Sequence, residues 1–190
     1  MKESIRVLIV DDSENDTLLL ADELSDGGYD LTYERVDTPE AMRAALESGP
    51  WSLVIADYKM PRFSGPEALQ VLKESGKDIP FILVSGTAGE NIGVDMMHKG
   101  ADDFIVKSSL SRLVPAVSRE LEDAETRRKR KLAEEAAKAS AENYRRMFES
   151  APAVVFTFDR DGVILQVNPE FEQCFGFTSS EVVGRSIWEV

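Results

Sequence analysis

From Ile5 to about Lys107 the chain alternates short apolar, β-branched runs with segments whose apolar residues recur at intervals of three and four. The runs lie near 5–10, 31–36, 52–57, 80–85 and 102–107, each of strand length and several apolar almost throughout, as strands buried on both faces are. This alternation predicts an α/β fold, a parallel sheet doubly wound by crossover helices. The helical segments carry their own start and stop signals. Ser13 is placed to cap a first helix whose Leu18, Leu19, Ala21 and Leu24 are expected to face the sheet, and Gly27-Gly28 ends it. Thr38-Pro39-Glu40 opens a second, packed through Ala41, Met42, Ala45 and Leu46 and stopped by Gly49-Pro50. A third is expected over Glu67 to Glu74, with Ala68, Leu69, Val71 and Leu72 inward, and a fourth over about 90–99, after a loop flanked by Gly86 and Gly89.

In an open sheet of this kind ligands bind outside the C-terminal ends of the strands. Four of the runs end there in polar groups: Asp11-Asp12, Asp57, Ser85 and Lys107. Taken alone, Asp57 before Tyr58-Lys59-Met60-Pro61 is as readily the start of a turn as a reactive carboxylate. Together the strand ends place three acids, a hydroxyl and an ammonium within reach of one another. Three carboxylates in one cleft repel unless a cation offsets them, and hard oxygen ligands suit Mg²⁺. A carboxylate such as Asp57 beside Mg²⁺ can attack an activated phosphorus while the metal and Lys107 neutralise the phosphoryl oxygens, giving an acyl phosphate. Ser85 is then placed to donate to that group, and Gly86 leaves room for it to enter.

Past Lys107 the pattern changes. From Leu110 to about Phe148 there is no internal glycine and only Pro115, near the start, so one helix is expected, roughly 55 Å long. Leu110, Leu113, Val117, Leu121 and Ala124 form a stripe that can dock on the sheet domain and continue as the seam of a two-stranded coiled coil, although Arg128, Lys131 and Glu135 fall near seam positions. The basic run Arg127 to Lys131 reads as a solvated face of that helix rather than a site for nucleic acid or anionic lipid. From Ala151 the chain turns β-like: strands over Val154 to Phe158 and Val163 to Val167, joined by Asp159-Arg160-Asp161-Gly162, then a helix from Asn168-Pro169 carrying Phe171 and Phe175 and ended by Gly176, and a short one at Ser179-Ser180-Glu181. Two strands in fewer than about fifty residues cannot close a sheet over these aromatics, so this second domain reads as incomplete.

With 22 Lys and Arg against 35 Asp and Glu, the net charge of −13 argues against nucleic acid as a general partner. One cysteine, Cys174, excludes an internal disulfide and fits a reducing compartment. No apolar stretch approaches the ~20 residues of a membrane span, and the first residues do not read as a signal peptide. A cytoplasmic protein is expected.

Residues 5 to about 120 resemble the receiver domain of two-component response regulators. The resemblance rests on Asp11-Asp12, Asp57 with Met60-Pro61, Ser85-Gly86, and Gly100-Ala101-Asp102-Asp103-Phe104-Ile105-Val106-Lys107, in that order. It implies a flavodoxin-like five-stranded parallel sheet in 2-1-3-4-5 order with helices on both faces. It implies Asp57 as phosphoacceptor, Asp12 and Asp57 as direct Mg²⁺ ligands, Asp11 acting mostly through water, and the backbone carbonyl of Lys59 completing the set. Ser85 would be the switch hydroxyl and Phe104 the switch aromatic, Lys107 the site's ammonium, and the fourth helix, fifth strand and fifth helix the output surface. Ser108 stands where the family usually has proline after the lysine, and Lys59 and Thr87 occupy positions that tune acyl phosphate lifetime. The C-terminal part resembles the start of a PAS sensor domain, through Tyr144 to Pro152, Val163 to Asn168, Phe171 to Gly176 and Val183-Gly184. The expected organisation is thus a receiver at 1–120, a helical linker at 110–148 and the N-terminal portion of a PAS domain at 149–190. The central helices and further strands with which the PAS family usually grips ligands fall outside this portion, so no PAS cofactor is inferred, and the surroundings of Cys174 lack the Asn-Cys-Arg pattern of flavin photochemistry.

The resemblance implies a phosphorylation switch that accepts its phosphoryl group from a histidine kinase or phosphotransfer protein and relays the change through the fifth helix, with a homodimer expected through the linker. The one histidine, His98, lies on the fourth helix and reads as a surface residue, so the donor is another protein or another part of a longer chain. Catalysis beyond the receiver's own phosphoryl transfer is not expected. Two other classes remain: a dimerisation scaffold indifferent to phosphate, and an aspartyl-nucleophile phosphohydrolase. The latter commonly needs a second acid two residues after its nucleophile, where this chain has Lys59 after Asp57 and Ser13 after Asp11.

Overall fold

The computed structural model describes residues 3–86 and 90–189, with the side chains of 90–92 set aside; Thr87 and Gly89, named above, lie outside the described residues. Two compact units divide the chain, one through Arg128 and the other from Lys129. The first contains β1 (Glu3–Val10), α1 (Glu14–Asp26), β2 (Tyr29–Val36), α2 (Pro39–Glu47), β3 (Leu53–Asp57), α3 (Gly65–Glu74), β4 (Phe81–Ser85), α4 (Glu90–His98) and β5 (Asp103–Val106), then a 3₁₀ helix, Lys107–Arg112, and the start of α5 (Leu113–Ser150). Its five strands are all parallel and ordered β2-β1-β3-β4-β5, as the resemblance implied.

Strand pleat divides the core in two. Ile5, Val7, Ile9, Leu53, Ile55, Ile82, Val84 and Ile105 pack with Leu20 and Leu24 of α1 and Leu113, Ala116 and Val117 of α5. Leu8, Val10, Val54, Ala56, Phe81 and Leu83 point the other way, onto Met42 and Leu46 of α2, Ala68, Leu69 and Leu72 of α3, and Met96 of α4. Because β3 and β4 are buried at every residue, both faces must be covered, and crossover helices on both sides do so. The strand turns that deliver polar groups therefore all open at one edge, the C-terminal edge.

The expected face of α1 is corrected. Ala21 and Leu24 are buried as expected, but Leu18 and Leu19 are 46% and 57% exposed, and Thr17 and Leu20 take their place. Capped by Ser13, the helix turns Thr17 inward, where its hydroxyl donates to the Ser13 carbonyl at 3.0 Å. A hydroxyl hydrogen-bonded within its own helix avoids the penalty of an unsatisfied buried group. α3 begins two residues before its expected start, at Gly65, behind a reciprocal cap between Ser64 and Glu67. The long helix begins at Leu113 rather than Leu110. Ser109 has non-helical backbone angles (φ −131°, ψ 42°) inside the 3₁₀ turn, and Pro115, two residues into α5, falls in the first turn, where a missing N–H costs nothing. From Glu125 to Met147 every residue of α5 is exposed.

In the second unit β6 (Phe156–Phe158) and β7 (Ile164–Val167) form an antiparallel pair, each shorter than expected, followed by α6 (Pro169–Phe175) and α7 (Ser179–Val182). Asn168, fully buried, organises it. Its Oδ1 accepts from the Val155 and Phe171 amides at 2.9 and 3.1 Å, and its Nδ2 donates to the Ala153 carbonyl at 2.8 Å. Ile164, Val167, Phe171 and Val182 make a small core, while Phe158, Phe175 and Trp188 remain exposed. No described helix is long and apolar enough to cross a membrane.

Candidate functional site

Each site residue owes its position to the end of a strand. Asp11 follows β1, its amide donating to the Val36 carbonyl of β2 at 3.0 Å and its carbonyl accepting from Arg35 Nη1 at 3.1 Å. Its Oδ1 accepts from the Ser13 amide at 2.7 Å, which folds the chain directly into α1. Asp57 is the last residue of β3, 9% exposed, and the ladder continues past it through Tyr58 N donating to the Val84 carbonyl at 2.8 Å. The first turn of α3 closes tightly on this strand end. A Cβ added at Gly65 would lie 2.4 Å from Leu83 Cδ1 and 2.8 Å from the Asp57 carbonyl oxygen, so only glycine allows that approach.

Carboxylate oxygens of Asp11, Asp12 and Asp57 lie within 4.8 Å of one another, with Asp11 and Asp57 buried and Asp12 exposed. Lys107 Nζ stands 3.1 Å from Asp57 Oδ1 and 3.5 Å from Asp11 Oδ2, and it also donates to Asp16 Oδ2. Ser85, buried at the end of β4, is in register with Val106, the residue before Lys107. Lys59 is exposed, in the loop two residues past Asp57. Phe104 is half-buried on the α4 side, where a Cβ at Gly93 would come within 2.9 Å of its ring. The expected site residues thus gather at one edge of the sheet, with Phe104 set back beside α4. Ser108 leaves Lys107 in contact with Asp57, and there is no cis peptide among the described residues.

Electrostatics set the acids against the Lys107 ammonium. Burial raises the Asp11 carboxyl above its ordinary pKa, helped by Asp57 and Asp16, while the Ser13 amide and Lys107 pull the other way. For Lys107, burial pulls downward but is outweighed by Asp16, Asp11 and Asp57, so the ammonium is held above its ordinary value. A divalent cation fits this arrangement. The donors are all hard carboxylate oxygens, their spacing is within slight closure of the roughly 3–4 Å between ligands of an octahedral Mg²⁺ at ~2.1 Å, and exposed Asp12 leaves a side open to water. Asp16 was not legible as a site residue, because it reads as an ordinary first-turn acid of α1. The available signal was its spacing: three residues past the capping Ser13, it lies at the helix end that faces the strand termini.

Comparison with known proteins agrees with this geometry. The response regulator receiver domain family matches residues 7–118, and the PAS fold matches residues 142–190. The chain is 30% identical over 117 residues to the chemotaxis protein CheY of Bacillus subtilis, covering 61% of this chain and 97% of that protein. It is 34% identical over 110 residues to a protein-glutamate methylesterase/protein-glutamine glutaminase of Haloarcula marismortui, covering 56% of this chain but spanning only 29% of that protein. Among solved structures, FixJ-N matches with a TM-score of 0.55 at 30% identity, covering 64% of this chain and 96% of that one. The signal receiver domain of a histidine kinase from Syntrophus aciditrophicus matches at 0.53 and 30% identity, over 63% and 91%. From the family match over most of the sheet domain, the strand order and the acidic cleft, the chain belongs to the response regulator receiver domain family of two-component signalling.

Proposed function

We propose that the chain is a phosphorylation-dependent switch that takes a phosphoryl group on Asp57 from a histidine kinase or phosphotransfer protein and passes the change along α5 toward its PAS segment. The observation that carries this reading is Asp57 itself, a buried carboxylate at a strand end, grouped with Asp11 and Asp12 and touched by Lys107 at 3.1 Å. An Asp57 oxygen attacks phosphorus in line; the new O–P bond forms as the P–N bond of a phosphohistidine donor breaks, and the imidazole leaves. Asp11, Asp12 and Asp57, with the Lys59 carbonyl, would hold Mg²⁺, which when bound supplies charge against the phosphoryl oxygens. Lys107 turns its ammonium from the carboxylates to a phosphoryl oxygen. Ser85 donates its hydroxyl to another, and Phe104 moves inward into the space that shift opens. α5 is one helix from Leu113 to Ser150, so a change in how its first turns pack is felt along its length, and a second copy pairing through it forms the expected homodimer.

The test is to incubate the protein with Mg²⁺ and a small acyl phosphate donor, weigh it intact beside Asp57→Asn, and record oligomeric state. One added phosphoryl group on the parent alone, with a shift in assembly, is the expected result. No added mass on either protein, or equal mass on both, overturns the reading.

A further inference from the structure

Three carboxylates hold the Lys107 ammonium, and one of them, Asp16, belongs neither to the phosphoacceptor nor to the acidic cluster. It sits in the first turn of α1, accepts from Lys107 Nζ through Oδ2, and is about one-third exposed. Lys107 also contacts Asp57 and Asp11, at 3.1 and 3.5 Å. The lysine leaves β5 into a 3₁₀ turn carrying Ser108, and its ammonium is shared between the first turn of α1 and the strand ends. A phosphoryl group arriving on Asp57 needs this ammonium, so it competes with Asp16 for it. We propose that Asp16 is a positioning residue that acts through Lys107, holding back its charge from the phosphoryl group and so slowing phosphorylation of Asp57.

This rests on the phosphoacceptor reading of Asp57 and adds a determinant of its rate. Asparagine at position 16 keeps an oxygen that accepts from the ammonium, so Lys107 stays in place through that bond and its contacts to Asp57 and Asp11. Only the competing charge is lost. A partly exposed ion pair of this kind is worth up to about 1 kcal/mol, and its removal corresponds to an acceleration of about two- to fivefold. Glu14, an exposed acid in the same turn, provides a control of equal charge change at a neighbouring position.

The experiment measures the rate of phosphorylation by a small acyl phosphate in saturating Mg²⁺ for the full chain and for Asp16→Asn, Asp16→Glu and Glu14→Gln, by intact mass. Asp16→Asn should be about two- to fivefold faster than the parent, Asp16→Glu should restore the parent's rate, and Glu14→Gln should not change it. A rate for Asp16→Asn equal to or below the parent's overturns the assignment. So does equal acceleration by Asp16→Glu, which would make shape rather than charge the cause, or by Glu14→Gln, which would make it a general field effect. A parent that takes no phosphoryl group defeats the phosphoacceptor reading itself, whereas a phosphorylated parent with no faster Asp16→Asn variant defeats only the role of Asp16.

Discussion

Asp11 concentrates the site's opposing forces in one side chain, 1% exposed, beside Asp12, Asp57 and Asp16 and the Lys107 ammonium. Its carboxyl is raised above the ordinary range chiefly by burial, so the folded protein keeps this proton to higher pH than the unfolded chain does. Its contribution to stability is therefore full below the unfolded pKa and is lost as pH rises through the raised value. Asp11→Asn should stabilise the protein in chelator at about pH 7 and flatten that part of the pH dependence; urea titrations at pH values on either side of the carboxylate range would read this. Mg²⁺ should stabilise the parent at neutral pH more than it stabilises this variant. Gly65 is held by sterics rather than charge. Gly65→Ala should cost about 1–3 kcal/mol in urea unfolding, since the backbone of Asp57 cannot yield as a flexible side chain would. The strand-end placement of Asp11, Asp12, Asp57, Ser85 and Lys107 was legible because each terminates an apolar run. Asp16 and Gly65 were not, because a first-turn acid and a loop glycine have ordinary local meanings, and their roles exist only where α1 and α3 meet the strand ends.

At the scale of elements, the buried strands were readable because nothing but a two-sided core suits runs such as Leu53 to Ala56. The face of α1 was not, since Leu18 and Leu19 outrank Thr17 in hydrophobicity and only the helix phase set by the Ser13 cap decides which turns inward. β6 came out short for a related reason: Val154 packs on the small core and Val155 is hydrogen-bonded to the buried Asn168 before the ladder starts. Replacing Asn168 by alanine leaves the Val155 and Phe171 amides and the Ala153 carbonyl without this partner, at about 1–3 kcal/mol for each that stays buried. Amide hydrogen exchange should accelerate at Val155 and Phe171 in Asn168→Ala and stay unchanged along β3.

For the whole molecule, the order of the segments was legible from the change of period after Lys107, and the structure divides the chain at Arg128, inside the expected linker. What the pattern could not give is what covers α5, exposed at every residue from Glu125 to Met147, because a sparse apolar stripe is compatible with a bare helix and with a paired one. If two copies pair there, single cysteines placed along this stretch in a Cys174→Ser background should cross-link with helical periodicity, and phosphorylation should shift which positions react; an aperiodic pattern, or one indifferent to phosphorylation, counts against the relay. The central claim, that Asp57 is the residue that carries the phosphoryl group, is open to one direct measurement: reduction of the phosphorylated protein with borohydride, which converts an aspartyl phosphate to homoserine, followed by peptide mapping. A single Mg²⁺-dependent homoserine at position 57 is the expected result. Homoserine at position 11, 12 or 16, or at none, would contradict it.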